Sequence, residues 1–289
     1  MKELIIDTLV DALKMLPFLF VSYLLIEYIE HKSSKKLEKI LGKSGKFGTF
    51  VGAILGCVPQ CGFSLTASNL YASRVISLGT LIAVFLSTSD EAIPVLLSNP
   101  QSGVEILKIL ATKVVIAIIV GLLVDFVINK SKSQSKEHGH LDDVNEHIHE
   151  MCSHCDCEHG IFKSTFKHTF ETFVFLVAII FLLNLAIFYI GEENLSKVLM
   201  SGNIFQPFVA GLIGLIPNCA SSVLLTELYI SGNLSFASII AGLSTGAGIG
   251  TVVLFRSNKN IKENAKILLL LYLAGSISGF IIELIGFAI

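Results

Sequence analysis

Two prolines inside apolar runs are each followed by an amide side chain and a cysteine. The first motif, Pro59-Gln60-Cys61, lies in the run 47–71, and the second, Pro217-Asn218-Cys219, lies in the run 204–229. Proline removes a backbone donor and disrupts the preceding helical turn. Backbone groups freed at membrane depth need a protein partner or a water-filled cavity. We therefore predict a substrate site at these six residues.

The cysteines of these motifs suggest a soft or borderline ion, because thiolates bind such ions better than hydroxyls do. Cys57, Cys61 and Cys219 are the predicted ligands. The competing interpretation is a proline kink with buried structural cysteines, and the duplication of the motif favours the site.

A second pair of polar breaks interrupts the runs 75–97 and 234–255. Ser87 and Thr88 in one break, and Ser244 and Thr245 in the other, are further predicted substrate contacts.

Carboxylates accompany the first of these polar breaks. Asp90 and Glu91 follow Thr88 directly, and acids inside apolar runs usually face a pathway or a partner. We predict that they bind a cation or carry a coupling proton. The alternatives are a salt bridge to Lys113 or Arg74 and a position at the external-facing end of a short half-helix. Glu227 and Asn69 occupy equivalent repeat positions and form a second candidate polar pair, in which Glu227 is a third coupling candidate.

The polar segment 129–163 concentrates soft metal ligands. Thiolate and imidazole groups at this spacing suit zinc, copper(I) and similar ions, and we predict metal binding there without a fixed fold. The ligands are His138, His140, His147, His149, Cys152, His154, Cys155, Cys157 and His159.

The motifs belong to two copies of one unit. The two proline motifs stand 158 residues apart, and Leu70-Tyr71 and Ser77 meet Leu228-Tyr229 and Ser235 at the same distance. With one residue dropped, Leu86-Ser87-Thr88 meets Leu243-Ser244-Thr245. A fixed-distance repeat of this length predicts two similar structural units.

Composition places these units in a membrane. The chain is 53% hydrophobic and 15% charged, with several apolar runs long enough to cross a bilayer. We expect no cleaved signal peptide, because the first apolar run lacks a basic start and a small-residue cleavage site. No full phosphate-binding loop of the form Gly-x-x-x-x-Gly-Lys-Ser/Thr is present, because Leu37 stands where Gly42-Lys43-Ser44 would need the first glycine, so the chain is not expected to hydrolyse ATP.

Loop charges predict opposite orientations for the two units. The segment 32–46 is rich in lysine, whereas its counterpart 191–202 is acidic; the turn 98–103 is uncharged, whereas 256–266 is basic. Basic loops face the cytoplasm. Residues 47–97 must then cross the membrane an odd number of times, so one broken piece is a re-entrant hairpin or the pair forms three crossings.

The predicted fold is therefore an all-α polytopic membrane protein. It has two inverted repeats of about five transmembrane or half-membrane helices, with proline-broken helices at the midplane. The predicted divisions are 1–128 and 164–289 for the repeats and 129–163 for a cytoplasmic linker. Eight ordinary spans in parallel repeats are the alternative.

The duplicated Pro-x-Cys breaks, the two Leu-Tyr-x-Ser segments and the His-rich linker resemble the ten-transmembrane heavy-metal exporters, a family also labelled arsenic efflux or manganese transporter-like permeases. The resemblance covers nearly the entire chain and implies an efflux carrier of the bacterial inner membrane. Pro59, Cys61, Pro217 and Cys219 match the family's motifs most directly.

Three functions are compatible with these features. The first is a secondary-active exporter of a heavy-metal or metalloid ion. The second is an ion-coupled carrier of an organic or inorganic anion held at half-helix N-termini. The third is an intramembrane thiol enzyme or metal sensor. Symmetry about the breaks favours transport over catalysis, so we predict no enzymatic activity.

The expected partners and cofactors follow from the first function. No cofactor is required, and zinc, manganese or another heavy metal would be the substrate or a linker ligand. The partners are the lipid bilayer and the transported ion, with a homodimer as a further option and no nucleic acid.

Overall fold

The computed structural model describes residues 45–58, 62–89, 92–97, 103–134 and 204–286 continuously, with single residues or short groups between 13 and 24 and between 165 and 182. The continuous ranges contain helices and connecting turns and no strand. Within the described residues the all-α prediction is confirmed.

Five helices of the first half are followed, in the same order, by five of the second half. The first set is α1 (Gly45–Leu55), α2 (Gly62–Ala72), α3 (Leu78–Ser87), α4 (Ala92–Leu97) and α5 (Gly103–Gln134). The second set is α6 (Gln206–Gly214), α7 (Cys219–Ile230), α8 (Phe236–Thr245), α9 (Ile249–Ser257) and α10 (Ile261–Ile285). Helix α5 extends past residue 128 into the predicted linker, while the division of the chain into three parts stays a prediction.

The same helix pairs pack in both halves. Helix α3 packs on α1 and α5, and α8 packs correspondingly on α6 and α10. Between the halves, α2 packs on α9 as α7 packs on α4, and α3 meets its counterpart α8. Equivalent helices of the two halves therefore make equivalent contacts.

Serine caps start the two central helices at equivalent positions. Ser77 accepts a hydrogen bond from Thr80 N at the start of α3, and Ser235 accepts one from Ser238 N at the start of α8. The cap satisfies a backbone donor that the helix cannot pair internally.

Small residues bring α1 and α3 into close contact along their length. A Cβ at Gly52 would lie 3.0 Å from Val84 Cγ2, and one at Gly56 would lie 2.0 Å from Ser87 Oγ. The contacts follow the same order in both helices, so α1 and α3 run in the same direction. The chain then returns through α2 to the start of α3.

The second unit repeats this close approach. A Cβ at Gly214, at the end of α6, would lie 2.0 Å from Gly242 O and 2.4 Å from Thr245 Oγ1 of α8. Such spacing between helix backbones is available only to glycine and other small residues.

These contacts correct the repeat register at the second break. Gly56 meets Ser87 as Gly214 meets Thr245, and Thr88 N bonds Val84 O as Gly246 N bonds Gly242 O. Ser87 therefore corresponds to Thr245 rather than to Ser244. The one-residue difference lies after the helices, where 88–91 meets 246–248.

Helices α5 and α10 carry apolar stripes on their outer faces, whereas the segment 236–257 is buried along most of its length. Gly103–Ile128, Phe236–Ser257 and Ile261–Ile285 are each long and apolar enough to cross a membrane. The exposed side chains are spaced four residues apart, which places them on one helix face. They are Val115, Ile119 and Leu123 on α5, and Leu269, Leu273 and Ile277 on α10.

Candidate functional site

The ends of α3 and α8 bring the polar breaks of the two units together in the protein interior. Ser87, Thr88, Ser244 and Thr245 are all buried, and α3 packs on α8. The two polar breaks thus lie where α3 packs on α8, and the role of these residues as substrate contacts stays a prediction.

Three of the four hydroxyls at these breaks are bonded to backbone carbonyls. Ser87 Oγ donates to Ala83 O at 2.9 Å, Thr88 Oγ1 to Val84 O at 2.7 Å, and Thr245 Oγ1 to Gly211 O at 2.8 Å. Among the described residues, Ser244 Oγ has no hydrogen-bond partner. Ser244 is therefore the hydroxyl best placed to serve a ligand.

Lys113 of α5 is fully buried and joins the two breaks. Its ammonium donates to Thr88 O of the first unit and, at 2.8 Å, to Leu243 O of the second. Both carbonyls lie at helix C-termini, where backbone acceptors lack a partner within the helix. The sequence alone predicts Lys113 only as a possible salt-bridge partner for Asp90 and Glu91.

The second proline motif forms the start of α7. Asn218 is buried and caps the helix by accepting from Ala220 N at 3.2 Å, while Pro217 is half-buried. Ser221 Oγ donates to Asn218 O at 2.7 Å. The amide of this motif thus has a structural role at the break, in addition to the substrate role predicted for it.

Several predicted site residues lie outside the part of the chain that the structure describes. These are Pro59, Gln60, Cys61, Asp90, Glu91, the side chain of Cys219 and every predicted ligand of the 129–163 linker. Their roles stay predictions. Among the described residues, no group of three or more His, Cys, Asp or Glu side chains could hold a metal ion.

Cys57 lies two residues beyond the end of α1 and is half-buried. Its thiol donates to Ala53 O at 3.4 Å, one helical turn earlier, and the charge of Lys113 acts on it.

Glu227 and Asn69 do not form a matched polar pair. Glu227 is exposed, whereas Asn69 is buried and accepts from Ser257 Oγ at 2.8 Å. Because Glu227 is exposed, it is a weaker candidate for a coupling residue than a buried acid would be.

Arg74 binds a residue other than the acids at the break. Its guanidinium contacts both oxygens of Glu263 on α10, at 2.8 and 3.0 Å, and Tyr71 OH donates to the same carboxylate. The hydrogen bonds that Arg74 donates to Glu263 raise the pKa of Arg74 above its usual value. This cluster joins the first unit to the second.

The opposite interface has the equivalent acid, and between the described residues there it has no equivalent ion pair. Glu105 of α5 acts electrostatically on Tyr229, and Gly232 occupies the repeat position of Arg74. The described residues therefore form a bidentate ion pair across one of the two equivalent interfaces.

Two carboxylates that the sequence analysis missed hold the capping serines. Asp125 Oδ2 accepts from Ser77 Oγ at 2.9 Å, and Glu283 Oε2 accepts from Ser235 Oγ at 2.8 Å. They stand 158 residues apart, so the repeat itself carried the signal that would have identified them.

The chain was compared with known families, curated proteins and solved structures. Two segments, residues 1–166 and 157–288, match the family described as "Putative, 10TM heavy-metal exporter". No curated protein and no solved structure gave a match. The apolar outer helices, the buried polar breaks and the family match agree that this is a multi-pass membrane protein, and the chain belongs to this family of ten-transmembrane heavy-metal exporters.

Proposed function

We propose that the chain is a secondary-active exporter of a heavy-metal or metalloid ion across the bacterial inner membrane. The observation that carries the proposal is the pair of buried polar breaks at the ends of α3 and α8, brought together between two units with reciprocal packing. Broken helices at the interface of two repeats are a recurring plan for substrate sites in transporters.

The two units are inverted in this proposal, and the ends of α5 supply the first support. Near its start, Glu105 acts on Tyr229 at the end of α7. Near its other end, Asp125 accepts from Ser77 at the start of α3. Helix α5 thus runs from the level of the 231–235 turn to the level of the 73–77 turn.

Helix α10, the counterpart of α5, supplies the second support. Near its start, Glu263 bonds Arg74 in the 73–77 turn. Near its end, Glu283 accepts from Ser235 in the 231–235 turn. It therefore runs between the same two levels in the direction opposite to α5, as inverted repeats require.

Residues 47–97 must cross the membrane an odd number of times, and the parallel course of α1 and α3 supports the version with one re-entrant hairpin. Helices α1 and α2 would form the re-entrant hairpin, and α3 and α4 the broken crossing segment. In the second unit α6 and α7 would form the hairpin, while the segment 236–257 crosses. Carbonyls at the ends of the half-helices would then face the midplane from both sides.

Exposed basic residues orient the proposed carrier. Arg256, Lys259, Lys262 and Lys266 are exposed around the turn joining α9 to α10, at the level of Arg74. By the positive-inside rule this level faces the cytoplasm.

Lys113 favours an anion carrier as the second candidate. A buried ammonium between the breaks supplies positive charge where an anionic substrate group would need it. In that case the thiols of the proline motifs would be incidental.

Substitution of the thiols separates the two candidates. Cys61→Ser and Cys219→Ser change little volume, and if both thiolates bind one ion, each raises the half-saturating metal concentration. The double variant should add little to the worse single variant, because the residues share a ligand. Cys57→Ser tests the third predicted ligand in the same way, since serine can keep the bond to Ala53 O.

The measurement is uptake of metals into inverted vesicles, after a screen of metal accumulation across many elements in cells with and without the protein. Unchanged half-saturation in both variants contradicts thiolate ligation and supports the anion carrier. Equal accumulation of every element with and without the protein would refute metal export.

A further inference from the structure

We propose that the Lys113 ammonium fills a cation-binding site built from the backbone carbonyls of both units. In this arrangement the carrier holds its own tethered cation where other carriers with broken helices bind a free coupling ion. The presence of the cation site stands on the geometry alone, whereas its role in transport rests on the proposed function.

The two carbonyls that bind Lys113 are acceptors left over at helix ends. Thr88 is the C-terminal cap of α3, so its carbonyl lies beyond the helical hydrogen bonds. Leu243 lies in the last turn of α8, and the amide that would reach its carbonyl, that of Ala247, bonds Thr245 O instead. Each half-helix therefore presents one acceptor to the same ammonium.

The electrostatics of this position favour a cation. The C-terminal end of a helix carries partial negative charge, and α3 and α8 both end here. In broken-helix transporters, unwound carbonyls and half-helix C-termini coordinate small cations. Ser244, the residue after Leu243, adds a buried hydroxyl without a partner among the described residues.

The charged side chain is present in the first unit and has no charged counterpart at the equivalent position of the second. The position equivalent to Lys113 is Leu271 on α10, which is also fully buried. A buried ammonium without hydrogen bonds would be strongly unfavourable. The two carbonyl bonds make the charge tolerable, and the charge in turn joins the halves at their breaks.

Removal of the side chain should leave a vacant site that a small cation can enter. We expect Lys113→Ala to show a saturable rise in unfolding temperature of roughly 3 °C or more when sodium or lithium replaces choline at equal ionic strength, because a ligand that binds only the folded state stabilises it. Wild type should unfold at the same temperature in all of these salts. Leu271→Ala removes a buried side chain at the equivalent position without removing charge, and it should show no cation preference.

Two results would overturn the inference. One is a folded Lys113→Ala protein with the same unfolding temperature in sodium, lithium, potassium and choline. The other is a wild type with the same cation dependence as the variant, since a tethered ammonium would then not be the occupant.

A second variant covers the case in which Lys113→Ala yields no folded protein in any salt. Lys113→Gln offers a neutral donor that can bond one of the two carbonyls. We expect a smaller cation-dependent rise in its unfolding temperature, and stability equal to wild type in every salt would contradict the inference.

Transport of the metal identified by the accumulation screen gives an independent result. Lys113→Ala should transport only when a small cation is supplied, whereas wild type should transport without one. Cation-dependent stability together with a wild type that exports no metal would refute the proposed function and leave the cation site standing.

Discussion

The Arg74–Glu263 ion pair is predicted to hold one side of the carrier closed. It joins α10 to the turn after α2, with two hydrogen bonds between guanidinium and carboxylate and a third from Tyr71. Glu263→Gln removes the charge and keeps the size of the side chain, so it tests the bonds without creating a cavity.

The size of the effect follows from exposure. The side chains of Arg74 and Glu263 are 30% and 23% exposed, so the pair lies between an exposed ion pair and a buried charged hydrogen bond. We expect a loss of about 1–2 kcal/mol. If the pair holds the closed state, the open fraction at this interface should rise roughly 5–30-fold.

The assay is the labelling rate of a cysteine buried behind the pair. Ser68 on α2 is fully buried and donates to Gly250 O at 2.6 Å. In a background without native cysteines, Ser68→Cys should react slowly with an impermeant thiol reagent applied to inverted vesicles. Addition of Glu263→Gln should raise the rate by the factor given above.

Glu105→Gln is the matched control, because Glu105 occupies the equivalent position and is exposed. It should leave the labelling rate of Ser68→Cys unchanged. The reasoning is refuted if Glu263→Gln has no effect on the rate, or if Glu105→Gln raises it equally.

Three further predictions concern other parts of the chain. Asp125→Asn should lower the free energy of unfolding by about 2–3 kcal/mol, because its carboxylate accepts from Thr49 Oγ1, Ser77 Oγ and Gly79 N. Glu283→Gln should lower it by less than about 1 kcal/mol, because Glu283 accepts one such bond in the described region. Thermal unfolding of both variants in one detergent checks the comparison, and equal losses would contradict it. Deletion of residues 137–160 should preserve transport and change its response to metal concentration, and a folded, inserted protein without transport would place the linker in the pathway. Asp90→Asn should remove the pH dependence of uptake into inverted vesicles if Asp90 carries the coupling proton, whereas an unchanged pH profile assigns the proton elsewhere.

Much of the fold could be read from the repeat. Ser77 and Ser235 cap equivalent helices, as their spacing implied. The register beyond the caps was wrong by one residue, because matching Ser87 to Ser244 relied on residue identity, whereas the structure matches Gly56–Ser87 to Gly214–Thr245 by backbone contact. Residue identity does not fix an alignment at positions where serine and threonine can make the same contacts.

The site was less predictable for a physical reason. Thiols, amides and carboxylates can be identified from the sequence as candidate ligands. The acceptors that bind Lys113 are backbone carbonyls, which every residue carries. Their availability depends on where α3 and α8 end in space. The Asp125 and Glu283 contacts could have been found, since two acids at equivalent positions near helix ends are visible in the sequence.

The central claim is that two inverted units form the carrier, and labelling of the two equivalent turns tests it most directly. Val75 and Asn233 stand 158 residues apart, in the turns that lead into α3 and α8. Single cysteines at these positions, in a folded protein without native cysteines, are treated with an impermeant thiol reagent in intact cells and again after permeabilisation. Inverted units predict that Asn233→Cys reacts in intact cells and Val75→Cys only after permeabilisation, whereas reaction of both from the same side would contradict the account.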